Sequence, residues 1–527
     1  MSRIDSYDHL LRQGGLDRRS LGKLAAMLGA GAAIGAMLPG LARAQETPKK
    51  GGDLMIGITG GATTDTLSPL PSTASIHTCS SFMWGNCLVE YGTDGSAVPE
   101  LAESWEPSAD AKTWKFNIRK GVTFHDGKEL DAEDVVWSLN LHRGENSESG
   151  ASGYMKQVVD IKADGKHAVI IELDSGNADL PYLLTDYHMI MMPKDGDVTS
   201  GNGTGGYKIT EFDPGVRVFG ERNENYWKEG RAHAATVELV AISDPAARTA
   251  ALQTGQINIM ERVDPKTVEL MGRVPGIVIH QAAGGGHYPL LMRCDTAPFD
   301  NVDLRLALKH AANREDIVDK VLRGLGKIGN DHPVPSGDPF FASSLEQRTY
   351  DPDKAKFHLK KAGYGGEALP LSTSDAAFAG AVDTAVLFQQ HASAAGINIE
   401  IVREPSDGYW NDVWMKKPFC LSYWGGRPTA DLMLSVAYKS DAAWNDTFWR
   451  RPDFDKILIE ARAELDTAKR QEMYTQLQTM IRDDGGALIP MFNDFVDAST
   501  EQVKNFELSP QYGLCGMRAP ERVWLDA

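Results

Sequence analysis

The segment Ser422-Tyr423-Trp424-Gly425-Gly426-Arg427-Pro428-Thr429-Ala430-Asp431 is the strongest local candidate for binding chemistry. It follows the apolar Phe419-Cys420-Leu421. A strand that ends in a Gly/Pro-rich turn delivers side chains to the crevice at the carboxyl end of a sheet. Arg427 offers a planar, bidentate fork to a carboxylate or phosphate. Its alternatives are an ion pair with an acid such as Asp431, or a guanidinium that faces solvent. Trp424 can stack on a ligand or pack in the core, and Gly425 and Gly426 form the turn itself. Tyr423, Tyr409, Trp410, Trp444 and Asn445 are further aromatic and amide candidates. Thr64 and Ser68 lie in the loop after the first strand, and Tyr288 opens the strand-like run to Arg293.

Catalytic chemistry has less support. His125-Asp126 sits in a turn without a paired nucleophile, and neither HExxH nor GxSxG occurs. The 13 histidines are scattered without ligand spacing. No CxxC pair exists, which leaves a zinc or thioredoxin-like site without support. Gly201-Asn202-Gly203-Thr204-Gly205-Gly206 runs into the strand-like Tyr207-Lys208-Ile209, whereas a phosphate cradle needs a helix there. These motifs support no catalytic centre, no cofactor and no metal, although a peptide hydrolase is kept as an alternative class.

At 527 residues the chain has room for two or three cores, and its 42% hydrophobic and 24% charged residues are ordinary for a globular protein. A net charge of -18 argues against nucleic acid or an anionic membrane as partner. At the N-terminus, Arg18-Arg19 precede an apolar, Gly/Ala-rich run from Leu24 to Leu38 and then Ala42-Arg43-Ala44. This pattern reads as a twin-arginine signal over residues 1–44, cleaved before Gln45, with the mature protein free in the periplasm. The five cysteines permit disulfides in an oxidising compartment, yet an odd number leaves at least one thiol unpaired; buried free thiols are the other reading.

The elements that position these residues form an α/β pattern. Asp53–Ile58 reads as a first strand and residues 75–89 as a helix with Phe82, Met83, Leu88 and Val89 inward. Thr113–Ile118 alternates with period two, placing Trp114, Phe116 and Ile118 on one face. Val122–Phe124 reads as another strand, and Asp131 caps a helix that carries Glu133 and Asp134 in its first turn. Strands are expected at 168–173, 206–210, 216–220, 235–242, 257–260 and 288–293, with a helix at 245–254. Helices follow at 304–312, 314–323, 352–362, 376–395, 453–464 and 467–483. Apolar strands lie at 397–402 and 487–492.

Several blocks together resemble a family. They are Pro99-Glu100-Leu101-Ala102-Glu103-Ser104-Trp105, Trp114-Lys115-Phe116, Arg119-Lys120-Gly121-Val122, Phe124-His125-Asp126-Gly127 and Asp131-Ala132-Glu133-Asp134-Val135. Later come Gly203-Thr204-Gly205-Gly206-Tyr207, Asn223-Glu224-Asn225-Tyr226-Trp227, Arg305–Val318 and Tyr350–Ala355. In this order they resemble the family 5 bacterial extracellular solute-binding proteins, whose members serve ABC importers of dipeptides, oligopeptides, nickel and glutathione. The resemblance implies a two-lobed, type II periplasmic binding protein in its three-domain variant. By it, residues 45–285 form the first lobe with a β-rich subdomain at about 80–200, and 286–492 form the second. Residues 493–527 return to the first lobe. Two crossings, near Gly285–Leu290 and Phe492–Ala498, form the hinge.

It also implies a small-molecule solute, a peptide or peptide-like compound, and the permease subunits of an inner-membrane importer as partners. The protein is expected to be a monomer. Peptide-binding relatives carry an aspartate shortly after the tryptophan that matches Trp424, and it pairs with the ammonium of the peptide. Here Arg427 stands at that place, where a cation would repel an ammonium. This departure favours a solute with an anionic group, such as an anionic peptide, an opine or a sugar conjugate, with metal chelates also open.

Overall fold

The computed structural model describes residues 47–71, 74–405 and 409–526. The twin-arginine segment and the cleavage point before Gln45 lie outside the described residues. Among the described residues, no helix is long and apolar enough to cross a membrane.

Asp53–Ile58 runs parallel to Thr236–Ala241 on one side and to Ile259–Met260 on the other. Such a strand is covered on both faces; Leu54, Ile56, Gly57 and Ile58 are all buried. Around it the first sheet runs Ile277–His287, Met491–Thr500, Ile259–Met260, Asp53–Ile58, Thr236–Ala241, Arg217–Arg222, Tyr207–Asp213, and Gly326–Ile328 also pairs with Met491–Thr500. A second, five-stranded sheet runs Ile399–Arg403, Leu369–Thr373, Phe419–Leu421, Leu290–Met292, Ala487–Leu488. A third is antiparallel and four-stranded, built from Ala102–Pro107, Thr113–Ile118, Ala168–Leu173 and Val158–Ala163.

The alternation of Thr113–Ile118 buries Trp114, Phe116 and Ile118 as the period requires. The side chains beneath this antiparallel sheet merge with those of the first sheet into one core, a small further core around Leu252, Met260 and Val496 also belongs to the first sheet, and the second sheet has a core of its own. Packing therefore gives two lobes, with the β-rich sheet fused to the first. Asp131 caps Ala132–Asn140: its carboxylate accepts the Glu133 and Asp134 N–H groups at 3.0 and 3.2 Å, and Asp134 accepts the Asp131 N–H at 3.1 Å. This reciprocal box satisfies donors a helix start otherwise leaves unpaired.

Three expectations are corrected. The helix read over 75–89 spans only Ser75–Trp84. A Cβ on Gly85 would lie 2.2 Å from Ile190 Cγ2, and the chain passes there in an extended conformation into the short strand Val89–Tyr91. Val122–Phe124 contributes only a single bridge, Thr123 to Glu129. The run read as one strand at 487–492 is two strands in two sheets, Ala487–Leu488 and Met491–Thr500, parted at Ile489-Pro490. Pro490 has no N–H for a ladder. The Ile489 N–H turns instead to the buried Asp331 carboxylate at 3.0 Å.

The chain therefore leaves the first sheet at Tyr288-Pro289, rejoins it briefly through Gly326–Ile328, and returns to it finally at Ile489-Pro490. The first and last passages touch. Tyr288 N–H donates to Met491 O at 3.3 Å, and His287 pairs with Phe492. A register shift between Ala283 and His287 accommodates Gly284-Gly285-Gly286. A Cβ on Gly284 would lie 2.5 Å from the Asn493 carbonyl oxygen, so the ladder has no room for a side chain there, and one on Gly286 would lie 2.5 Å from Asn493 Oδ1.

At the far end of the first lobe, Arg518 donates to both oxygens of the fully buried Glu100, at 2.7 and 2.9 Å. Lys228, Arg518 and Arg522 face Glu90, Glu100 and Glu521 there, three cations against three carboxylates. This cluster ties the C-terminal segment to the block Pro99–Trp105. All five cysteines carry free thiols, and all but Cys294 are buried. For these residues the thiol reading holds and the disulfide reading does not.

Candidate functional site

The turn after Phe419–Leu421 is held by its backbone. Trp424 and His287 exchange N–H···O bonds of 2.9 and 3.0 Å, which stitches this segment of the second lobe to the crossing strand. A Cβ on Gly285 would stand 3.2 Å from Gly426 Cα, so glycine on both sides permits the close approach. His287 is fully buried, and burial pushes its imidazole down to about 3, so it stays neutral.

Arg427 extends from this turn. Its Nη1 donates to Gly425 O at 3.1 Å and Gly426 O at 3.2 Å, and its guanidinium lies 5.7 Å from the Trp424 ring centroid. Among the described residues Arg427 forms no ion pair. Asp431, the acid that could have claimed it, is bound at 3.0 and 3.1 Å by Arg462 Nε. The remaining guanidinium donors are thus not spent on a carboxylate.

A cavity of about 30 Å³ lies against Arg427. The second lobe contributes Pro335, Gly337, Asp338, Gly426, Arg427 and Pro428; the first contributes Tyr91, Pro510, Gln511 and Tyr512, and Gly285 comes from the crossing strand. A wider crevice of about 320 Å³ opens between Tyr154, Lys156, Asp174 and Asn177 on one side and Asp431, Ser435 and Arg462 on the other. Burial pushes the Tyr154 phenol up to about 12, with the Asp186 charge adding to it and Arg427 pulling it back. Burial also holds the Tyr512 phenol well up, so both remain neutral donors beside the guanidinium. Ligand pockets for small organic molecules measure roughly 300–1,000 Å³. The space at Arg427 falls well below that range, and the crevice beside Tyr154 reaches it.

The other expected residues divide. Trp424 is buried, and its Nε1 shares the Asp446 carboxylate oxygen with Trp414 Nε1, at 3.0 and 3.1 Å. Trp410, Tyr423 and Trp444 are exposed: Trp410 meets Tyr423 edge-on at 5.3 Å, and Trp444 lies 6.1 Å from Trp424. They form an aromatic rim beside the turn. Tyr409 and Asn445 are core residues instead. The Tyr409 hydroxyl donates to Leu421 O at 2.8 Å, and Asn445 Nδ2 donates to the Trp449 and Lys439 carbonyls. Tyr288 stacks on Phe378 with centroids 4.1 Å apart, and neither it nor Thr64 nor Ser68 lines the cavity. Ser68 is buried, and Thr64 is exposed.

Sequence reasoning missed Asp338, Tyr91 and Pro510–Tyr512. The loop Pro333-Val334-Pro335-Ser336-Gly337-Asp338-Pro339 carried a usable signal, an acid inside a Pro/Gly-rich stretch between two apolar segments. Pro510–Tyr512 carried none, because only the return of the chain to the first lobe brings it there.

The sequence profile of the bacterial extracellular solute-binding proteins, family 5 Middle, matches residues 96–446. The dipeptide-binding protein of Escherichia coli (strain K12) is 25% identical over 485 residues, which cover 83% of this chain and 89% of that protein. HbpA2 from Haemophilus parasuis superposes with a TM-score of 0.82 at 20% identity, covering 90% of this chain and all of that one. The binding protein AgaA from A. tumefaciens R10, solved with agropinic acid, gives a TM-score of 0.71 at 21% identity, covering 90% and 99%. With that profile spanning most of its length, the chain belongs to the family 5 bacterial extracellular solute-binding proteins.

Proposed function

We propose that this protein captures a small peptide-like or opine-like solute through an anionic group held by Arg427, closes its two lobes on it, and hands it to the permease of an ABC importer. One observation carries the reading: a guanidinium that forms no ion pair among the described residues lines the space between the lobes. A bidentate fork in a partly desolvated cleft recognises carboxylate or phosphate better than any other side chain. The fold accommodates ligands of this kind, as agropinic acid in AgaA illustrates. The crevice beside Tyr154 supplies volume for a solute longer than a single amino acid. In this reading residues 1–44 direct export and are removed, and the mature chain works as a monomer in the periplasm.

Native mass spectrometry of the protein purified without denaturation identifies any solute that travels with it; the expected mass is that of a compound with at least one carboxylate or phosphate. With the compound in hand, calorimetric titration of Arg427→Ala is expected to show a loss of about 10- to 100-fold in affinity, the range of a charge-assisted contact. Unchanged affinity in that variant refutes the reading.

A further inference from the structure

We propose that Tyr512 and Tyr154 reach from the first lobe to the anionic group that Arg427 holds from the second, so that the anion itself bridges the lobes. The inference rests on the reading of Arg427 given above and deepens it: the group that selects the solute also draws the protein shut.

Tyr512 lines the cavity with Arg427, and Tyr154 lines the wider crevice. Both rings pack against the core of the first lobe, and both phenols feel the charge of Arg427. Among the described residues, neither hydroxyl has a hydrogen-bond partner. The core phenols of Tyr207 and Tyr409 differ, since they donate to carbonyl oxygens at 3.4 and 2.8 Å. A phenol drawn out of water without a partner is costly, and an anion at Arg427 supplies the acceptor that both lack.

Two carboxylates stand nearby. Asp186 faces both phenols, but its Oδ1 accepts the His188 N–H at 3.0 Å and pairs with the His188 ring. Asp338 lines the cavity with Arg427, and burial pushes its carboxyl up to about 7. A proton taken up there removes the like charge that an incoming anion would meet. Neither acid is hydrogen-bonded to Arg427 or to these phenols, so the three donors stay open to a solute.

The backbone next to Tyr512 points the same way independently. Leu514, Cys515, Gly516 and Met517 follow one another in the left-handed region, with φ of 51, 60, 73 and 61°. Only one of the four is a glycine, and for the others this conformation is strained. The turn is pinned by the buried Asp497, whose carboxylate accepts the Leu514 N–H at 2.6 Å and the Arg262 N–H at 3.1 Å. Strain of this kind persists where the surroundings over-determine it, and it gathers at ligand clamps. Here it fixes where the chain delivers Tyr512.

The test uses the full mature protein, a pooled library of dipeptides without acidic side chains and the same library amidated at the carboxyl terminus. Native mass spectrometry reads retention, and calorimetry follows the best-retained member. Retention is expected from the free-carboxyl pool alone. Tyr512→Phe and Tyr154→Phe remove one oxygen and keep the ring; each is expected to bind that member roughly 10-fold more weakly, with the melting temperature of the free protein unchanged. With that dipeptide at saturation, small-angle scattering is expected to give the double variant a larger radius of gyration than the wild type. If both Phe variants keep full affinity while Arg427→Ala loses it, the phenols only pack, and the inference falls while the role of Arg427 stands. If the double variant binds weakly yet closes fully, the bridge is refuted. Equal binding of both pools refutes the anion reading, and binding of neither refutes the peptide-like reading; the inference falls with either.

Discussion

Burial holds the Asp446 carboxyl up at about 7, although the Trp414 and Trp424 indoles both donate to it. An unfolded aspartic acid titrates near 4, so between about pH 4 and pH 7 the folded protein keeps a proton that the unfolded chain has lost. Stability falls as pH rises through that window, by at most roughly 4 kcal/mol from this group. Asp446→Asn removes the titration and keeps an acceptor for the indoles. Urea unfolding at pH 4, 5, 6 and 7 is expected to give the variant a shallower decline than the wild type; parallel curves would contradict this. At this scale the sequence disclosed the type of a residue better than its surroundings. Arg427 lines the cavity, whereas Trp424 in the same turn is buried with its indole on Asp446. Tyr409 and Asn445 looked equally suitable by type, yet their polar atoms serve core carbonyls, because the partners that claim them are remote from any local pattern. Asp338 was legible only in part: its Pro/Gly-rich loop carried a signal, but Tyr91, which lines the cavity with it, is remote in sequence.

Elements were far more legible than contacts, because hydrophobic period and caps are local. Thr113–Ile118, Ala168–Leu173 and Pro352–Ala362 form where alternation, turn residues and an Asp-Pro start place them. The failures share one cause. Apolar residues continue through 85–89 and 487–492, so periodicity alone cannot see that Gly85 is pressed against Ile190 or that Pro490 interrupts a ladder. The C-terminal elements depend on another distant partner. The short helix Ala519–Arg522 and the strand Trp524–Leu525 follow Arg518, whose guanidinium is clamped on Glu100. Arg518→Met is expected to leave Glu100 buried with Lys228 as its one cation, and to cost about 3–5 kcal/mol in urea unfolding. The double change Arg518→Met with Glu100→Leu is expected to recover part of that loss; no recovery would show that the charge pair is not the cause.

Across the whole molecule, the lobes meet through a buried ion pair as well as through the cleft. Asp179 joins Arg470 at 2.7 Å, and the neighbouring Ala178 N–H donates to Arg462 O at 2.7 Å. Removing one charge from such a pair costs about 3–5 kcal/mol in the conformation that buries it. Asp179→Asn is therefore expected to raise the radius of gyration in small-angle scattering and to weaken solute binding by about 100-fold or more, through a smaller closed population. A radius unchanged from wild type would refute it. The lobes are also joined at the crossing, where Gly326–Ile328 pairs with Met491–Thr500. The two passages of the crossing are neighbouring rungs of one ladder, His287 beside Phe492, with glycines packed against Asn493. Two separated tethers would let the halves shear, slide or splay. If solute closes the lobes as proposed, a single ribbon confines that motion to a turn about itself, and the Asp179–Arg470 pair is a contact that the turn makes or breaks.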